Sequence, residues 1–104
     1  MEQFTLTVKF TAKTGNHEKF KQELLNLFDI INEEENLVNA TVHQNIQKPE
    51  EFLVYEIWND NVEHFLNVHF KKPYVQAWDQ LLLDMDVERE PSIYKPIGKY
   101  GKQK

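Results

Sequence analysis

Apolar and polar residues alternate at the start of the chain: Phe4, Leu6, Val8 and Phe10 are apolar, while Thr5, Thr7, Lys9 and Thr11 are polar. A period of two in β-favouring residues predicts a strand with one buried face. The stretch "AKTGNHEKF" then supplies a turn, after which Phe20, Leu24, Leu27, Phe28 and Ile31 recur at helical spacing. Alternation returns from Val38 to Ile46, which places Ala40, Val42 and Ile46 on one face and Thr41, His43 and Asn45 on the other. "QKPEE" reads as a turn with Pro49 outside the ladder, and "FLVYEIW" as the next strand, so these two strands are expected to pair as an antiparallel hairpin.

The strand over 52–58 is apolar on both faces, with Phe52, Val54 and Trp58 on one and Leu53, Tyr55 and Ile57 on the other. A sheet that needs cover on both sides, in a chain with few helices, calls for a second copy of the chain on the uncovered side. After a cap at Asn59, Asp60 and Asn61, the residues Val62, Phe65, Leu66 and His69 share one helical face. Pro73 ends that helix and suits the first turn of another, along which Tyr74, Ala77, Trp78, Leu81, Leu82 and Met85 form a stripe. The segment "VEREPSIYKPIGKY" predicts an irregular edge strand interrupted by Pro91 and Pro96. The order is therefore βαββαβ, the ferredoxin-like α+β plan, with an antiparallel sheet covered by helices on one face and a partner's sheet on the other. We read residues 1–98 as one domain and 99–104 as a tail.

With 104 residues, the chain has the size of a single core, and a domain this small gains noticeably from apolar area buried in an oligomer. The formal net charge is -5, and the basic residues cluster only in the tail at Lys95, Lys99, Lys102 and Lys104, so nucleic acid is not an expected partner. Cysteine is absent, which excludes disulfides, iron–sulfur clusters and thiol catalysis and suits a reducing compartment. The start "MEQFTLTVKF" lacks the basic flank and apolar run of a signal peptide, and no stretch has the roughly 18 apolar residues of a membrane span. A soluble, cytoplasmic protein is expected. Glycine is too scarce for a phosphate-cradling loop, and no nucleotide, zinc-protease or EF-hand pattern occurs, so a bound nucleotide or flavin would have to be held by other means.

Candidate chemistry lies in "YEIWNDNVEHFLNVHFKKPY". Alternation turns Glu56 towards the helices together with Val54 and Trp58, where burial would raise its pKa. Glu56 is either a proton acceptor acting through His69 or a buried acid satisfied by its surroundings. His69 falls in line with Val62 and Phe65 and so faces the sheet; it is either a general base or a hydrogen-bonded core residue. Trp58 and Tyr74 can stack on a flat ligand or fill the core, Trp78 is the better candidate for core packing, and Tyr55 points to the partner's side. His64 and His69 are about 140° apart round a helix and do not form a metal pair.

Together "FLVYEIWND", the His69 of "HFKKPYVQAW" and the late "SIYKPI" resemble the antibiotic biosynthesis monooxygenase family over Phe4 to about Ile97. The resemblance implies a dimeric α+β barrel with a pocket between sheet and helices in each subunit. It further implies oxygenation of quinols or polyketide aromatics by O2 without metal or flavin, alongside branches that degrade haem or isomerise a small phosphorylated dione. Two departures matter. Tyr74 stands where many relatives have a second His after the proline. Val8 and Asp79 stand near the positions of the Asn and His of the haem-degrading branch, which leaves only Trp58 matched to that branch.

The expected function is cofactor-free monooxygenation of a quinol or other electron-rich aromatic by a homodimer, with no membrane or nucleic-acid partner. His69 would act as base with Glu56 as its partner, in a pocket lined by Trp58, Tyr74, Phe65 and Val8. The alternatives are a non-catalytic small-ligand-binding or stress-response dimer, and an isomerase of the same fold acting on a small carbonyl compound.

Overall fold

The structure, a computed structural model, describes residues 2–102. Its strands are β1 (Phe4–Thr11), β2 (Leu37–Gln44), β3 (Glu51–Trp58) and β4 (Glu88–Tyr94), and its helices α1 (His17–Ile31), α2 (Val62–Val68) and α3 (Pro73–Asp84), with a single 3-10 turn at His69–Lys71. The strands lie in the order β2-β3-β1-β4 and every neighbouring pair is antiparallel. This is the βαββαβ plan that the periodicity predicts.

β1 buries every second residue, and its register sets Leu6 against Glu56, Val8 against Val54 and Phe10 against Phe52. Helix α1 lays Phe20 and Leu24, both fully buried, on that face. Phe20 lies 5.5 Å from both Phe10 and Phe52 by ring centroids, and Trp78 of α3 meets Phe10 edge-on at 5.8 Å. At the other end Phe65 of α2 packs against Phe4 and Trp58 at 5.0 and 4.9 Å. Edge-to-face and tilted contacts of this kind suit the ring quadrupoles. Gly15, with φ of 86°, makes the turn into α1 in a conformation that a side chain would strain.

The structure corrects three details of the pattern. Ile46 is almost fully exposed and lies beyond β2, because the Asn45 side chain accepts the backbone N–H groups of Gln47 and Lys48 and closes a turn there. Leu66 is more than a third exposed, since α2 is only seven residues long and meets the sheet through Phe65. His69 does not extend α2 but opens the 3-10 turn, in which Lys72 N–H donates to the His69 carbonyl at 3.1 Å. A bulge between Leu37 and Asn39 resets the β2 register, so that Leu37 opposes Trp58.

Pro91 sits inside β4 opposite Val8, a place it tolerates because β4 is an edge strand. In the tail, Lys99 Nζ donates to Gln3 Oε1 at 2.9 Å, and residues 103–104 lie outside the described part. The sheet face away from the helices leaves Leu53, Tyr55 and Val38 about two-fifths to one-half exposed.

Candidate functional site

Residues of α1, α3 and the sheet line a cavity of about 250 Å³. Its floor is formed by Leu6, Val8, Phe10, Val54 and Glu56, with Pro91 at the edge, and its roof by Leu27, Phe28, Tyr74 and Trp78. An apolar cavity of roughly 150 Å³ admits benzene, so this one is large enough for an aromatic of one or two rings. Ionisable lining residues stand in two groups: Glu56, His69 and Tyr74, and the pair Asp79 and Arg89.

Glu56 is 5% exposed and opposes Leu6 on β1. Its Oε1 accepts the indole N–H of Trp58 at 2.9 Å. Burial pushes the carboxyl up to about 7, against the pull of that single donor. Glu56 can therefore gain or lose a proton near neutrality, which is useful for acid–base chemistry.

His69 is 8% exposed and lines the cavity. Its ring stacks on Phe65 at 4.4 Å with 14° between planes, and lies 5.0 Å from Trp58. Burial lowers its pKa, opposed by the negative charge of Glu34 and assisted by the positive charge of Lys72. The imidazole is thus neutral at neutral pH and keeps a lone pair that can take a proton. The 3-10 turn and the aromatic stack together fix its orientation.

Tyr74 on the first turn of α3 meets His69 edge-on at 5.8 Å. Its hydroxyl donates to Glu34 Oε2 at 2.7 Å, and Lys72 Nζ donates to Glu34 Oε1 at 2.6 Å. Burial would raise the Glu34 carboxyl, but these two donors and the Lys72 charge hold it below its ordinary value. The Tyr74 phenol is pushed up by burial and by its bond to Glu34, so it stays protonated. Glu34 has no signature in the chain: it lies in the run Glu33–Glu34–Glu35, which reads as a solvated acidic loop, and only the fold brings it to Tyr74 and Lys72 across 40 and 38 positions.

Four of the six expected site residues, Glu56, His69, Tyr74 and Val8, line the cavity. Trp58 and Phe65 do not: they are 2% exposed and packed behind His69, because β3 ends and α2 begins at that side of the core. The Trp58 indole N–H donates to Glu56. Among the described residues no hydrogen bond joins Glu56 to His69; the carboxylate that acts electrostatically on His69 is Glu34. Trp78, expected in the core, both packs on Phe10 and Phe20 and lines the cavity. The pattern also gave no sign of the ion pair between Arg89 and Asp79, at 2.7 Å, since it joins an edge strand to a helix. Among the described residues no group of three or more His, Asp or Glu side chains is placed to hold a metal ion, and no helix is long and apolar enough to cross a membrane.

The family model for antibiotic biosynthesis monooxygenases matches residues 3–81. The chain belongs to that family. No curated protein matches it in sequence. Among solved structures, a candidate antibiotic biosynthesis monooxygenase of Deinococcus radiodurans is 18% identical, with 97% of this chain and 99% of that one covered at a TM-score of 0.83. A conserved protein of Methanosarcina mazei is 25% identical over 91% of this chain and 93% of its own, with a TM-score of 0.77. SnoaB, a cofactor-independent oxygenase of Streptomyces nogalater, is 14% identical over 98% and 100% of the two chains, with a TM-score of 0.82. At such identities the likeness to SnoaB and to the Deinococcus protein concerns the fold; the family membership rests on the sequence match.

Proposed function

We propose that this antibiotic biosynthesis monooxygenase family member is a cofactor-independent monooxygenase of a small quinol or naphthol, working as a cytoplasmic homodimer. The observation that carries the reading is His69: a neutral, oriented imidazole on the wall of an apolar cavity sized for one or two aromatic rings. His69 takes the proton of a phenolic hydroxyl and leaves an electron-rich anion. That anion supplies the electrons for O2 itself, so one oxygen atom enters the ring as a carbonyl and the other leaves as water. Glu56, hydrogen-bonded by Trp58, is a second proton acceptor on the floor. Val8 and Tyr74 contact the ligand, while Trp58 and Phe65 hold the two acid–base groups from behind. The helix-free sheet face, with Leu53 and Tyr55 half-exposed, supports the dimer, and a cysteine-free chain suits a reducing cytoplasm.

The test is O2 uptake by metal-depleted protein against a panel of quinols and naphthols, with His69→Ala beside the wild type. Uptake that falls by a factor of about 100 or more in His69→Ala is the expected result. Thermal stabilisation by a panel member with no O2 consumed would replace the oxygenase by a binding protein.

A further inference from the structure

The Tyr74 hydroxyl has one hydrogen to give and lone pairs to accept with. Its hydrogen is committed to Glu34 Oε2 at 2.7 Å. The Glu34 side chain is only 17% exposed, and its other oxygen is held by Lys72 at 2.6 Å, which keeps the carboxylate ionised and in place. A hydrogen bond to an ionised acceptor is about twice as strong as a neutral one, so a ligand does not readily draw the Tyr74 hydrogen away. What Tyr74 can offer a ligand beside His69 is therefore a lone pair.

We infer that Glu34 is a positioning residue: by accepting the Tyr74 hydroxyl it leaves the phenol oxygen as an acceptor only, so this end of the cavity selects ligands that donate a hydroxyl hydrogen over those that present an ether or carbonyl oxygen. The inference rests on the proposed reading for where the ligand lies: a quinol gives one hydroxyl hydrogen to His69 and the other to Tyr74. It deepens that reading, because a site that favours the hydroxyl form holds the oxidisable substrate and releases the carbonyl product. The tie is also mechanical. Glu34 follows α1, and Lys72 and Tyr74 start α3, so one carboxylate joins the two helices that roof the cavity.

The test compares anaerobic binding of 1,4-dihydroxynaphthalene and 4-methoxy-1-naphthol, which both keep a hydroxyl for His69, differ in the second donated hydrogen and need no turnover. Wild type is expected to favour 1,4-dihydroxynaphthalene by about tenfold, the worth of one hydrogen bond of ordinary strength. Glu34→Ala and Tyr74→Phe are expected to bring that ratio close to one, whereas Glu34→Gln, whose amide oxygen can still accept from Tyr74, keeps most of it. A merely loosened cavity would weaken both ligands alike and leave the ratio standing. An unchanged ratio in Glu34→Ala and Tyr74→Phe overturns the inference, as does failure of both ligands to bind wild type. Because binding is read without O2, a protein that turns over nothing still reports the ratio, and one that oxygenates with an unchanged ratio loses only the role given to Glu34.

Discussion

Glu56 is a carboxyl set into hydrocarbon, opposite Leu6 and beside Val54, with one indole N–H for company. Its folded pKa of about 7 stands above the ordinary 4.5. The folded chain therefore binds more protons than the unfolded chain between those values, and stability falls as pH rises through that window. The penalty is complete above about pH 7 and absent below about pH 4.5. A shift of about 2.5 units corresponds to roughly 3 kcal/mol as an upper figure. Glu56→Gln keeps an oxygen for Trp58 and removes the charge. It is expected to stabilise the protein by up to about 3 kcal/mol at about pH 8 and hardly at all near pH 4.5. Urea unfolding of both proteins at the two pH values checks this, and an equal difference at both would mean that the charge of Glu56 is not what the fold opposes. At this scale the chain was partly legible. That Glu56 and His69 face inward follows from periods of two and 3.6, but neither period shows which carboxylate His69 senses.

At the scale of elements, α2 and the 3-10 turn place His69. Asn61 caps α2 through its side chain, which accepts the His64 N–H at 2.8 Å. A helix of seven residues has little cooperativity of its own and depends on that cap and on Phe65. Asn61→Ala is expected to lower stability by about 1 kcal/mol, and Asn61→Asp to restore it. Chemical denaturation of the two variants measures the difference; full stability of Asn61→Ala would show that packing of Phe65 alone fixes α2. The cap, the start of α3 at Pro73 and the stripe along α3 were readable, because each is a local rule linking neighbours in sequence, whereas α2 ends at Val68, before the proline that was expected to end it. Where β2 ends was not readable from alternation alone, since Ile46 keeps the right period and is released by a side-chain turn at Asn45.

For the whole molecule, the sheet has helices on one side and Leu53, Tyr55 and Val38 half-exposed on the other. In the proposed homodimer a second sheet covers that face, so Leu53→Glu is expected to give a monomer with a lower melting temperature in sedimentation and thermal scans. The residues that line the cavity lie on the helix side of the sheet and do not include Leu53, so the monomer is expected still to bind 1-naphthol. A Leu53→Glu protein with the mass of the wild type would place the subunit contact elsewhere. By itself, the sequence determined the order of the strands and main helices, the buried faces of β1, β3 and α3, and the family, because these follow from periodicity and from short motifs. Only the tertiary structure decided which side chains meet: that Trp58 donates to Glu56, that Phe65 backs His69, and that Glu34 grips Tyr74 and Lys72 from 40 and 38 positions away. The reason is physical: side-chain directions along one element repeat with its period, whereas contacts between elements depend on how the helices cross the sheet, which the packing of the whole core sets.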